Sequence, residues 1–375
     1  MEVNMLAFNP KAEKPIIAVT GSAGKTMVKS MVSAILRERW VVFESKDYYN
    51  TVDKTIEHAD QINFIHRAAV LEYGMAFPGA ITDHCQIIQP NISVITNVGL
   101  AHIANFEGKV ELLAAAKSEL IQGMNPSGIL LINADDLNSK LLNTRNFTGK
   151  ILTVGIKSKA DYQASKLNYS ETGMTFSSTL KGTEYSFQIP TLGEHNVYNA
   201  LFAIGVADQL GFLPTEMQTG LQNMKKPNHR LATHRLKDGI TVIDDTVHSH
   251  PPAVKAAVDV LMRIANQKKI AILGSMPELG ERTYQDYEDI GRYVATKKVD
   301  FLYTFGKSSV HIGEGAINAG YPSNQVKHYK QSLIKVMHRE LAESIKPGTT
   351  ILVKGASRLN MYETVRFLCE HFKIE

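Results

Sequence analysis

Apolar residues along the chain fall into short continuous runs separated by stretches with helical spacing. The runs Pro15–Val19, Ala68–Leu71, Ile92–Thr96 and Gly128–Ile132 read as strands buried on both faces. The clearest helix is Met27–Arg39, where Val28, Met31, Val32, Ile35 and Leu36 share one side. Strands alternating with helices predict a parallel sheet covered on both faces. Between residues 161 and 190 the pattern changes: Ser, Thr, Tyr and Gly alternate with apolar residues, and Gly173 and Gly182 mark turns. That stretch predicts antiparallel hairpins. A helix over Val197–Leu210 follows, stopped by Gly211. The segment Met224–His229 is polar, contains Pro227, and reads as a linker. After it the alternation restarts, with strands at Ile240–Ile243, Lys269–Leu273, Phe301–Phe305 and Ile351–Val353.

Composition narrows the class. The chain has 375 residues, 44% hydrophobic and 21% charged, which excludes disorder and coiled coil and is long enough for two domains. Two cysteines, Cys85 and Cys369, stand far apart without metal-ligand spacing, so a disulfide framework is excluded and a reducing compartment is expected. Lys plus Arg (41) and Asp plus Glu (37) are nearly balanced and scattered, giving no case for a nucleic-acid partner. There is no run of 18 apolar residues, and Met1–Pro15 carries charges where a signal peptide needs an apolar core. No membrane association and a cytoplasmic location are expected.

The chemistry begins at Thr20-Gly21-Ser22-Ala23-Gly24-Lys25-Thr26, between a buried strand and an amphipathic helix. Glycines let such a loop fold its N–H groups around phosphate oxygens, at a helix N-terminus that favours anions. Lys25 would reach the β- and γ-phosphates and the Thr26 hydroxyl would bind Mg²⁺. The strict pattern Gly-x-x-x-x-Gly-Lys-Ser/Thr asks for Gly where this chain has Val19. The expected fold is therefore α/β: a P-loop, mostly parallel sheet domain with a small antiparallel patch over residues 1–225, then a Rossmann-like α/β domain over residues 226–375. A P-loop alone does not separate kinases, GTPases, motor ATPases and ligases.

Further segments occur in collinear order: Glu72–Met75, Ile95–His102, Ala115–Lys117, Asn133–Asp136, Gly193–Ala200, Arg230-Leu231, Ile243–Asp245, Leu273–Gly280 and Val353–Arg358. Together with the P-loop they resemble the ATP-binding and C-terminal domains of the Mur ligase family, ATP-dependent amide-forming enzymes, and within it the branch that adds D-alanyl-D-alanine. The resemblance implies ATP as cofactor with two Mg²⁺ ions, bound by Thr26, Glu72 and His102. It implies nucleotide contacts from Gly21, Ser22, Ala23, Gly24, Lys25, Asn196, Arg230 and Asp245, with Asn196 on the adenine and Arg230 on the γ-phosphate. Lys25, His102, Lys117 and Arg230 are the implied catalytic residues. In several family members the residue matching Lys117 is carbamylated; the alternative is a solvated helix lysine. Asn199, one turn beyond Asn196, could equally lie on a helix surface.

The implied chemistry joins a small-molecule carboxylate to an amino acid or short peptide amine through an acyl phosphate. This chain also departs from the family pattern. Only 14 residues precede the first strand, where the family has a domain for the UDP-linked acceptor, so an acceptor other than UDP-muramoyl is expected. Thr246-Val247-His248-Ser249-His250-Pro251 places two histidines where the family has asparagines. They would either alter amine recognition, bind metal or carry a proton, or simply be tolerated. Tyr287 stands where a histidine is expected, and the family's Asn-Asn-x-x-Gly-x-Pro segment is missing around Asn50. Alternative readings are a degenerate nucleotide-binding partner of another synthetase, a phosphotransferase that stops at a phosphorylated product, and a cyclising ligase acting on a cofactor precursor. The oligomeric state is not legible.

Overall fold

The computed structural model describes residues 14–170, 173–276, 279 and 283–374. Contacts divide the chain into two compact units, one ending at Pro227 and the other starting at Asn228.

The first unit runs β1 (Ile16–Thr20), α1 (Lys25–Arg37), β2 (Val42–Glu44), α2 (Val52–Gln61), β3 (Ala68–Glu72), α3 (Ala80–Ile87), β4 (Ile92–Ile95), α4 (Val110–Gly123), β5 (Ile129–Asn133), β6 (Lys150–Gly155), β7 (Tyr162–Tyr169), β8 (Met174–Leu180), β9 (Thr183–Ile189), α5 (Glu194–Gln209) and α6 (Pro214–Gln222). Its nine strands form one sheet in the order β2-β3-β1-β4-β5-β6-β7-β8-β9. The first seven strands in this order pair in parallel, and β7–β8 and β8–β9 pair antiparallel, so the hairpins extend the main sheet at its edge. Successive side chains of each buried strand go to opposite faces. Ile17, Val19, Val70 and Val94 meet the apolar sides of α1, α5 and α6 through Met31, Ile35, Leu201, Met217 and Leu221. Ala18, Leu71, Ile95 and Leu130 meet α3 and α4 through Ile81, Leu113 and Leu120.

The second unit runs β10 (Ala232–Arg235), β11 (Thr241–Asp245), α7 (Pro251–Ile264), β12 (Lys269–Gly274), α8 (Thr283–Lys297), β13 (Phe301–Phe305), α9 (Val310–Asn318), β14 (Val326–Tyr329), α10 (Ile334–Ser344), β15 (Thr350–Lys354) and α11 (Tyr362–His371). The strand order is β10-β11-β15-β12-β13-β14, parallel except for the antiparallel edge pair β10–β11. One face packs Val242, Ile272, Phe305 and Val353 against Met337, Leu341, Val365 and Leu368 of α10 and α11.

Two helices start earlier than their apolar spacing predicts. Helix α1 begins at Lys25 rather than Met27, because its first turn belongs to the phosphate loop, and α5 begins at Glu194 rather than Val197. Strands β2, β6, β10 and β14 fall outside the runs read as strands above. β2 has three residues, and β10 (Ala-Thr-His-Arg) and β14 (Val-Lys-His-Tyr) are edge strands that carry mostly half-buried polar side chains. Open α/β sheets gather ligands at the carboxyl ends of their strands. The motif residues Thr20, Glu72 and Thr96 all lie at such ends, of β1, β3 and β4.

Candidate active site around the phosphate loop

Strand register assembles the site. β1 lies between β3 and β4, pairing Val19 with Glu72 and Thr20 with Ile95, so the loop after Thr20 emerges between Glu72 and Thr96-Asn97. Two glycines let it pass. Gly21 has φ 142°, and a Cβ there would sit 1.9 Å from Thr96 Oγ1; Gly24 has φ 82°, and a Cβ would sit 2.5 Å from Asn199 Oδ1. The loop is then stitched to the end of β4. Ser22 N–H donates to Asn97 O (3.1 Å), Ala23 N–H donates to Asn97 Oδ1 (3.1 Å), and Thr96 Oγ1 donates to Ala23 O (2.6 Å). Ser22 Oγ accepts from Gly99 N–H at 2.9 Å. No side chain caps α1 and no acid occupies its first turn, leaving its amide end suited to an anion.

Lys25 folds back so that Nζ donates to Gly21 O at 2.9 Å. Thr26 Oγ1 donates to Glu72 Oε2 at 2.8 Å, and Asn50 Nδ2 donates to Glu72 Oε1 at 2.7 Å. Glu72 is buried, its N–H held by Ser45 Oγ at 3.1 Å. A hydroxyl and a carboxylate side by side form the all-oxygen donor set that a hard cation takes, and Mg²⁺ bound with a nucleotide draws its other ligands from phosphate and water. Thr26 and Glu72 therefore fit one Mg²⁺. Among the described residues no group of three or more His, Cys, Asp or Glu side chains is arranged around a metal position. His102 opens a single helical turn, Ile103–Phe106, at φ 63°.

Lys117 lies on α4 and is 2% exposed, so it is not a solvated helix lysine. Burial pulls its ammonium down to a pKa of about 7, the charge of Lys25 adds to the effect, and Asp136 opposes it. The structure thus brings Lys117 within electrostatic reach of the phosphate-loop lysine. Asp136 also accepts from Val98 N–H at 2.7 Å, which ties the segment leading to His102 to the end of β5.

On the other side of the loop, Asn196 and Asn199 are both buried. Asn199, against Gly24, is not a helix-surface residue. Its Nδ2 donates to Asn196 Oδ1 (2.9 Å), while Asn196 Nδ2 donates to Leu192 O (2.7 Å) and Thr191 Oγ1 (3.1 Å).

In the second unit, Arg230 stands between two residues of positive φ, His229 (57°) and Leu231 (50°), just before β10. His229 Nδ1 pairs with Asp244 Oδ2 at 2.6 Å. Register pairs Asp245 with Lys354 on neighbouring strand ends, and Asp245 Oδ2 and Lys354 Nζ form a buried ion pair at 2.9 Å. Lys354 Nζ also donates to His248 O. His250 caps α7, its Nδ1 accepting from Ala253 N–H at 3.4 Å, which gives that histidine a structural task. Tyr287 is buried with its hydroxyl on the backbone of Met276, so it braces the loop after β12 where a histidine was expected. Pro277, Glu278 and Gly280 of that loop lie outside the described residues.

Residues 19–207 match the model of the Mur ligase middle domain, and residues 229–357 match that of the Mur ligase glutamate ligase domain. The chain belongs to the Mur ligase family. As a Mur ligase it is an ATP-dependent, amide-bond-forming enzyme. It is 32% identical to the UDP-N-acetylmuramoyl-tripeptide–D-alanyl-D-alanine ligase of Bacillus subtilis (strain 168), over 95% of this chain and 76% of that protein. It is 27% identical to the Haemophilus influenzae protein of the same name, over 98% and 78%. A crystal structure of MurF from Acinetobacter baumannii superposes with a TM-score of 0.86 at 25% identity, covering 95% of this chain and 76% of that one. The fold is also shared, at TM-score 0.84 and 22% identity, with MurF ligase from Thermotoga maritima, solved in complex with ADP. These relatives lend no support to an acceptor other than UDP-muramoyl, to a degenerate partner protein, or to a cyclising ligase.

Some residues that build this Mur ligase site escape a reading of motifs. Asn50 belongs to a segment that lacks the family pattern, yet its amide holds the Glu72 carboxylate. Ser45 acts through the backbone N–H of Glu72, a role that leaves no spacing signal.

Proposed function

We propose that this Mur ligase phosphorylates a substrate carboxylate with ATP and exchanges the phosphate for an amine, and that its substrates are a UDP-N-acetylmuramoyl-tripeptide and D-alanyl-D-alanine. The chemistry rests above all on one observation: Thr26 and Glu72 meet at 2.8 Å beside Lys25, at the mouth of a phosphate loop. The substrate pair rests on the names of the relatives from Bacillus subtilis and Haemophilus influenzae.

Carboxylate oxygen is a poor leaving group, so acid and amine do not condense unaided in water. A carboxylate oxygen attacks the γ-phosphorus, the bond to the β-phosphate oxygen breaks, and ADP leaves. The amine nitrogen then adds to the acyl carbon, phosphate departs with its bonding pair, and the nitrogen gives up a proton. In this reading the amide end of α1 and the Lys25 ammonium hold the β- and γ-phosphates, stabilising the charge that spreads over the transferring group. Thr26 and Glu72 would hold Mg²⁺, which when bound neutralises phosphate charge. Asn196 serves the adenine side. A Lys117 amine with a pKa of about 7 is half unprotonated at neutral pH and open to CO₂, and the resulting carbamate is an anion. His102 and that carbamate are our proposed ligands for a second ion. The reaction belongs in the cytoplasm, where ATP is; among the described residues no helix is long and apolar enough to cross a membrane.

The test is direct ligation. With ATP, Mg²⁺, UDP-N-acetylmuramoyl-tripeptide and D-alanyl-D-alanine, mass spectrometry should show the joined product, one ADP and one phosphate per bond. Absence of product from active, ATP-binding protein would overturn the substrate pair, and amide formation with a different acid and amine would still uphold the chemistry.

A further inference from the structure

Lys29 is a buried cation with no part in the mechanism so far. It sits on the inner side of α1, three residues after Thr26, among the buried Val28, Met31 and Val32, and is 1% exposed. An amphipathic helix asks for an apolar residue there, and a desolvated ammonium persists only with dense polar contacts. Glu44 does not supply the main one. Its Oε1 is 3.9 Å from Lys29 Nζ, while its Oε2 pairs with Arg37 at 2.8 Å and its Oε1 accepts from Ser30 Oγ at 3.1 Å. The ammonium instead donates to the carbonyl oxygens of Ser45 and Asp47, both at 2.5 Å. Asp47 has φ 46°, a left-handed conformation that most non-glycine residues avoid and aspartate tolerates better, so the turn is sharp and its carbonyl is directed at the ammonium.

The segment gripped in this way is the one that frames Glu72. Ser45 Oγ accepts from Glu72 N–H, Asn50 Nδ2 donates to Glu72 Oε1, and Asn50 O accepts from Gly74 N–H at 2.8 Å. Helix α1 therefore holds the carboxylate twice, directly through Thr26 and indirectly through Lys29 and the 45–50 segment. We propose that Lys29 is a positioning residue for the divalent-cation site, fixing the turn at Asp47 so that Asn50 orients the Glu72 carboxylate. This rests on the reading above that Thr26 and Glu72 take the Mg²⁺ of the bound nucleotide.

The test measures binding of a non-hydrolysable ATP analogue to the full chain by calorimetry, in EDTA and across a Mg²⁺ series. Lys29→Met should bind the analogue in EDTA within about twofold of the wild type. It should need about 10–100-fold more Mg²⁺ for the metal-tightened affinity, as loss of an outer support of a metal ligand typically does. Asn50→Ala should shift the Mg²⁺ requirement in the same direction, and the double variant should shift it no further than the larger single change. Should the Met variant fail to fold, Lys29→Gln, which keeps an uncharged N–H donor group, should show a smaller shift of the same kind. A wild-type Mg²⁺ requirement in the folded Lys29 variants, or additive effects in the double variant, would overturn the proposal alone. Wild-type binding that ignores Mg²⁺ would overturn the metal assignment and this inference with it.

Discussion

Replacing Lys117 with methionine tests the electrostatics of the site without any substrate. In an unfolded chain this lysine titrates near 10.5, and in the folded protein burial and the Lys25 charge bring it to about 7. Between those values the unfolded chain holds a proton that the folded one has released, so the lysine's contribution to stability improves as pH rises. Below pH 7 both states are protonated and the full penalty applies, about 5 kcal/mol at 1.36 kcal/mol per pK unit. At pH 9 about 2 kcal/mol remains, and above 10.5 none. Methionine is similar in length and removes the term. Relative to its pH 9 value, Lys117→Met should therefore gain about 2–3 kcal/mol of stability over the wild type at pH 6. Trp40, the only tryptophan, lies in the first unit with its ring edge-on to Phe212 at 4.9 Å, so its fluorescence during denaturant unfolding reports on that unit. CO₂-free buffers keep carbamylation out of the measurement. Adding bicarbonate should then stabilise the wild type and leave the variant unchanged, as expected for a modification confined to the folded state. A stability difference that stays constant from pH 6 to 9 would refute the argument, since it would mean that Lys117 keeps its proton in the fold.

Three other substitutions probe the loop. Lys25→Ala should lower ATP-dependent turnover by about 10²–10³-fold or more, because it removes a fixed charge from the transferring phosphoryl group, while the unfolding midpoint changes little. Glu72→Gln keeps the shape and a hydrogen-bond acceptor for Thr26 but loses the charge, so a Mg²⁺ titration of turnover should shift to higher concentration by about 10–100-fold. Gly24→Ala combines φ 82° with a Cβ 2.5 Å from Asn199 Oδ1, and should destabilise the first unit by about 1–3 kcal/mol in denaturant unfolding and weaken nucleotide binding.

The parts of this molecule that were legible in the sequence are those with a strong local cause. Continuous apolar runs marked β1, β3, β4 and β5 because a strand covered by helices on both faces has no polar side. The glycines of the phosphate loop were visible because only glycine accommodates that backbone so near Thr96 and Asn199. Short edge strands such as β10 and β14 pair through backbone groups and leave no such pattern. The functional residues divide in the same way. Glu72 and Lys117 sit in motif segments, but that Lys117 is buried depends on which side of α4 meets the sheet, which Ala-Ala-Ala-Lys does not state. Asn50 and Lys29 reach the site through a turn at Asp47, a tertiary arrangement without a spacing rule.

The central claim is that carboxylate activation passes through an acyl phosphate, and hydroxylamine trapping tests it most directly. The protein would be incubated with ATP, Mg²⁺, UDP-N-acetylmuramoyl-tripeptide and hydroxylamine in place of the amine, with mass spectrometric detection and Lys25→Ala as control. The account predicts a hydroxamate of the tripeptide formed together with ADP and absent from the control. ATP turnover that yields AMP and pyrophosphate, or ADP release with no hydroxamate, would contradict it.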